Sequence, residues 1–69
     1  MHELDRLVKM ANQIADNFEV HDDVIERTAD HLRRFWAPSM RQKLAEHAAN
    51  GGDGLKVAAR AALNHLAGG

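Results

Sequence analysis

The sequence predicts an all-α fold, a small helical hairpin or a bundle of three to four helices with no strands. Three observations carry this expectation. Apolar residues recur at intervals of three and four along most of the chain, the spacing that lines up one face of a helix. No segment shows the apolar–polar alternation of a half-buried strand. The remaining punctuation, a lone Pro38 and the run Asn50-Gly51-Gly52-Asp53-Gly54, sits where one helix would stop and another begin.

Four helices are expected, over about residues 3–19, 23–36, 38–49 and 55–67 of a single domain spanning 1–69. The first carries Leu4, Leu7, Val8, Ala11, Ile14, Ala15 and Phe18 on one stripe, with Asn12, Gln13, Asp16 and Asn17 mostly off it. Val20-His21-Asp22-Asp23 then offers Asp22 or Asp23 as N-cap for the second, whose stripe is Val24, Ile25, Thr28, Ala29, Leu32, Phe35 and Trp36. That helix must end by Ala37, because the residue before a proline is pushed out of the helical region. Pro38 has φ preset and no N–H to donate, which suits the first turn of a third helix capped near Trp36 or Ala37 and carrying Met40, Leu44, Ala45, His47 and Ala48. Asn50 or Gly51 can take the left-handed conformation that closes it. The glycines follow a helix rather than a strand and lack a Gly-Lys-Ser/Thr ending, so they read as a turn and not a phosphate loop. Leu55, Val57, Ala58, Ala61, Ala62, Leu63 and Leu66 form the last, alanine-rich helix, stopped by Gly68-Gly69.

A chain of 69 residues supports one small core. It has no cysteine, which removes disulfides, thiolate metal sites and Cys-ligated clusters and leaves association as the common route to stability. The N-terminus lacks a basic start and a long apolar run, and no stretch approaches the roughly 20 apolar residues of a membrane span, so a cytoplasmic location is expected. Net charge is −1, yet residues 1–30 hold eight acids against three bases and residues 31–69 hold six bases against two acids. These halves either attract one another within the fold or leave a basic face for an acidic or phosphate-bearing partner.

The three aromatic residues are not spread evenly: Phe35 and Trp36 stand together in Phe35-Trp36-Ala37-Pro38-Ser39-Met40-Arg41. Phe35, Trp36, Pro38 and Met40 form an apolar knob, rimmed by Arg33, Arg34 and Arg41, with the aromatic-plus-arginine composition of interface hot spots; alternatively Phe35 and Trp36 cap the core. Asn12, Gln13 and His31 are candidates for directional polar contacts beside it. Catalytic constellations are missing from the pattern. His2, His21, His31, His47 and His65 never stand four apart, the spacing that offers two imidazoles to one metal, and Asp30-His31 are neighbours that point about 100° apart on a helix. No catalytic, cofactor-binding or metal-ligating residue is assigned, and an independent enzyme is not expected.

The stretches Leu7-Val8-Lys9-Met10-Ala11-Asn12-Gln13-Ile14-Ala15 with Phe18, Ala29-Asp30-His31-Leu32-Arg33-Arg34-Phe35-Trp36-Ala37-Pro38-Ser39-Met40-Arg41, Gly51-Gly52-Asp53-Gly54-Leu55 and Ala61-Ala62-Leu63 stand in an order that resembles the delta subunit of NAD-dependent, molybdenum-containing formate dehydrogenases. The similarity runs from about Leu4 to Leu63, with departures at Ser39, where the family often has Arg, and at Lys56-Val57, where a Pro is usual. The resemblance implies a non-catalytic accessory subunit of a cytoplasmic complex, supporting assembly or stability of the active enzyme. Its partner would be the large catalytic subunit holding bis-molybdopterin guanine dinucleotide and iron–sulfur clusters, alongside subunits that carry FMN and pass electrons to NAD. Under this reading the interface candidates are Asn12, Gln13, His31, Arg33, Arg34, Phe35, Trp36, Pro38, Met40 and Arg41, and no nucleic acid or membrane is involved. Two competing classes remain. One is a transient molybdenum-cofactor insertion chaperone that holds a molybdopterin phosphate through the arginines. The other is a small helix-turn-helix nucleic-acid-binding protein using Arg33, Arg34, Arg41 and Lys43, against which stand the slightly negative net charge and the lack of a distinct basic recognition helix.

Overall fold

Four helices in chain order make up the structure, a computed structural model that describes residues 3–68, with side chains from Glu3 to Leu66: α1 (Glu3–Asn17), α2 (Val24–Phe35), α3 (Pro38–Ala49) and α4 (Val57–Gly68). Met1, His2 and Gly69, which belong to the predicted domain and its last stop signal, lie outside the described residues. The radius of gyration is 10.7 Å, close to the roughly 11 Å of a packed chain of this length, which selects a bundle over an open hairpin.

The core joins all four elements. Leu7, Ala11 and Ala15 of α1, Leu32 in the last turn of α2, Trp36 just beyond that helix, Leu44 of α3, and Ala59 and Leu63 of α4 form one buried cluster. The most extensive pairing is α2 with α4, where Ala29, Ala59 and Ala62 are fully buried. Their methyl side chains let the two helices approach closely, so the alanine-rich faces are spent within the fold. Thr28 of α2 is also buried, and its hydroxyl donates to the Val24 carbonyl at 2.7 Å, one turn back along its own helix.

The ends of the elements differ from expectation for local reasons. α1 stops at Asn17 rather than Glu19 because Phe18, Glu19 and His21 each donate to a carbonyl three residues back, a tighter winding than the α-helix. Asp23 does occupy the N-cap of α2, but its side chain makes no capping bond; the carboxylate instead accepts from Arg27 Nε at 2.7 Å. Trp36 is extended (φ −92°, ψ 141°), as is Ala37, and Pro38 opens α3 as its preset φ requires. Asn50 keeps a negative φ, and the reversal falls to Gly51 (φ 115°) and Gly52 (φ 62°), whose N–H closes on the His47 carbonyl at 2.8 Å. α4 begins at Val57 rather than Leu55, since the Leu55 N–H is used by Gly52 and the Lys56 N–H by Asn12. Val57, one of the apolar residues that marked this helix, is 86% exposed, whereas Ala59 is buried.

The two oppositely charged halves meet. Lys43 of α3 bonds Glu3 of α1 at 2.6 Å, and Lys56 ahead of α4 bonds Asp16 of α1 at 2.8 Å. The Lys43 bond holds the Glu3 carboxyl below the usual carboxylate range, and the Asp16 bond raises the Lys56 amine above the usual lysine range. Both pairs are on the surface, so they align the helices rather than supply much stability.

Candidate partner-binding groove

α1 and α2 touch less extensively than α2 and α4, and a groove of about 450 Å³ opens between them. One wall is α1, through Met10, Gln13, Ile14 and Asn17; these positions share a face because they lie three, four and seven residues apart. The opposite wall is α2, through His31 and Phe35, four apart on the same helix. Trp36 and Met40 complete the groove at the end where the chain turns into α3. Among the described residues no Lys, Arg, Asp or Glu lines it.

The groove is ordered by ring contacts. His31 lies 4.8 Å from Phe35 between ring centres and 6.2 Å from Phe18 in an edge-on arrangement, and Phe18 in turn stands 6.2 Å from His21 at the closed end of the helical pair. Phe35 is nevertheless 72% exposed and Met10 37% exposed, whereas Trp36 is only 6% exposed and belongs to the core. The adjacent aromatics therefore have different jobs. Trp36 anchors the fold and shows one edge to the groove; Phe35 stands out of it.

Of the ten sequence-predicted interface residues, this groove gathers Gln13, His31, Phe35, Trp36 and Met40. The others are dispersed. Asn12 faces away, where its amide donates to the Gly54 carbonyl and its Oδ1 accepts from the Lys56 N–H, each at 2.9 Å. It ties α1 to the loop that leads into α4. Arg34 points outward and meets Asp30 at 3.0 Å, and Arg33 borders a separate cleft with Asp23, Glu26, Arg27, Asp30 and His65. Pro38 and Arg41 line a smaller groove of about 230 Å³ between α3 and α4, with Leu63 and Leu66, and there Arg41 Nε is buried with no acceptor among the described residues. Of the expected arginine rim only Arg34 stands on the His31 side of α2: Arg33 turns to the cleft with His65, and Arg41 belongs to another helix. Sequence reasoning in turn passed over Met10 and Asn17 and counted Ile14 only as core. The available signal was their seven-residue span on one edge of the α1 stripe.

Beside the groove α2 carries two ion pairs, Arg27–Asp23 and Arg34–Asp30. Arg27 and Arg34 stand on the His31 side of α2, and Arg6 stands one turn before Met10 on α1. Arg27 holds the Asp23 carboxyl below the usual carboxylate range through its hydrogen bond. Among the described residues no three His, Asp or Glu side chains come together in a way that could hold a metal ion, and no helix is long and apolar enough to cross a membrane.

With the site in view, the chain's kinship can be given. Residues 6–63 match the family described as NADH-dependent formate dehydrogenase delta subunit FdsD. The chain belongs to this delta-subunit family. The matched span takes in both walls of the groove, the Trp36–Pro38 turn and the glycine loop of this delta subunit. Searches of curated proteins and of solved structures gave no match.

Proposed function

We propose that this delta subunit is a non-catalytic accessory chain that binds the large catalytic subunit of the formate dehydrogenase complex through the α1–α2 groove, and that this docking supports assembly or stability of the active enzyme. One observation carries the reading: a chain with three aromatic residues places Phe35 72% exposed beside a groove lined by no Lys, Arg, Asp or Glu among the described residues, although Trp36 and the leucines already complete the core without it. An exposed aromatic beside methionine and a buried indole has the composition of an interface centre, and the flanking arginines have that of its rim.

Formate oxidation, the bis-molybdopterin guanine dinucleotide, the iron–sulfur clusters, the FMN and the exchange with NAD all belong to the partner subunits under this proposal, in the cytoplasm. The chain has no cysteine with which to ligate a cluster. A cofactor-insertion chaperone or a nucleic-acid binder would need clustered unpaired cations; Arg41 lies on a different helix from Arg33 and Arg34, and Arg27 and Arg34 are each already paired with an aspartate. The test is to purify the complex through a tag on the catalytic subunit, with and without the gene for this chain. Retention of the chain at constant stoichiometry, and lower yield or faster loss of formate-dependent NAD reduction without it, is the expected result. A fully active, equally stable enzyme lacking the chain would refute the proposal.

A further inference from the structure

We infer that the occupant of the α1–α2 groove is an amphipathic helix of the catalytic subunit, about two turns of which lie along the groove, with carboxylates flanking its apolar ridge. This rests on the proposed function and adds the chemistry of the partner segment.

The walls decide the conformation of the occupant. Both are flanks of helices whose backbone groups are bonded internally, so the groove offers no row of free N–H and C=O groups to pair with an extended strand. A segment entering it must satisfy its own backbone. A helix does so and reads the groove through side chains at intervals of three, four and seven. The length agrees: Met10 to Asn17 spans seven residues, about 10 Å at 1.5 Å per residue, or two helical turns. Met10 and Met40, with their flexible thioethers, adapt to the apolar side chains of such a ridge, and Phe35 packs beside it.

The flanks decide its charge. No carboxylate lines the groove, while Arg6 stands beside the α1 wall and Arg27 and Arg34 beside the α2 wall. Arg27 meets Asp23 and Arg34 meets Asp30 through Nε, and the Nη groups of both guanidiniums make no hydrogen bond among the described residues. Arg6 makes no ion pair among them. These donors suit Asp or Glu on the sides of an incoming helix, which can bind a guanidinium in a fork. A second copy of this chain fits less well, because facing grooves would bring the arginine flanks of the two copies together.

A photo-crosslinking residue in place of Phe35, introduced into the full chain within the purified complex, tests this by mass spectrometry of the linked peptide. The expected product is a link to one helical segment of the catalytic subunit with Asp or Glu beside its apolar positions. In parallel, the R27E/R34E double variant is expected to bind the catalytic subunit at least tenfold more weakly at low salt with unchanged helicity by circular dichroism, and raising the salt should narrow the difference. A link to a second copy of the chain, to an extended or basic segment, or to nothing while the chain still co-purifies would overturn the inference and leave the accessory-subunit reading standing. Failure of the unmodified chain to co-purify would overturn both.

Discussion

Replacing Trp36 and Phe35 separately by alanine should give opposite phenotypes, although the two residues are neighbours. Trp36 is 6% exposed and joins the α1, α3 and α4 side chains of the core. Its truncation leaves a cavity, for which large aromatic-to-alanine changes in cores cost about 3–5 kcal/mol. A domain of this length has a total stability of roughly 3–10 kcal/mol, so W36A is expected to be largely unfolded or to melt far below the wild type. Phe35 is 72% exposed and so retains little over a quarter of its burial. With about 1.5–3 kcal/mol for full burial of such a side chain, F35A should lose only about 0.4–0.8 kcal/mol of stability. The rest of the ring is covered only on docking, which is worth about 1–2 kcal/mol, or roughly 5- to 30-fold in affinity for the catalytic subunit. Urea titration followed by circular dichroism gives the first quantity and a binding isotherm with the purified catalytic subunit gives the second. If F35A lowered the unfolding midpoint as much as W36A while binding normally, the division of labour argued from their burial would be wrong.

Asn12→Ala removes two hydrogen bonds to the backbone of the Gly54–Lys56 segment, and is expected to cost about 1–2 kcal/mol in thermal or urea unfolding with little effect on affinity. Gly52→Ala places a methyl group at positive φ and within 2.5 Å of the Arg60 guanidinium, which bonds the Gly51 carbonyl; a loss of about 1–2 kcal/mol is expected, read as a lower melting temperature. For pH, the carboxyls of Glu3 and Asp23 are held low by Lys43 and Arg27, so their contribution is present above the ordinary carboxylate range and is lost as pH falls through their lower folded-state values. The Lys56 amine is raised by Asp16, so its contribution is present below the ordinary lysine range and is lost as pH rises through its higher folded-state value. Melting temperatures measured from acid to alkali should form a plateau between these limits. Added salt should lower it only slightly, because exposed pairs are screened but contribute little to begin with.

The helices were legible because Leu7, Ala11 and Ala15, and Thr28, Ala29, Leu32 and Trp36, repeat at the helical period, and because Pro38 and the glycines mark where that period breaks. The groove was half legible. Gln13, His31, Phe35, Trp36 and Met40 were suspected as a set, but which of two adjacent aromatics turns inward depends on the extended Trp36–Ala37 backbone, and periodicity assigns both to the same stripe. Arg33 misled for a geometric reason: it is adjacent to Arg34 in sequence but turns to the cleft with His65, so proximity along the chain was no guide to a shared rim. Asn12 was beyond reach, since its partners lie more than 40 residues away in a loop whose path only the folded chain defines.

Hydrogen exchange of the chain, free and in the purified formate dehydrogenase complex, addresses the docking surface most directly. Added protection on complex formation should concentrate in residues 10–17 and 31–40, the two walls of the groove and its Trp36–Met40 end. Protection confined to the α3–α4 surface around Arg41, Leu63 and Leu66, or no change at the groove in a complex that retains the chain, would contradict the assignment of this surface as the seat of the partner.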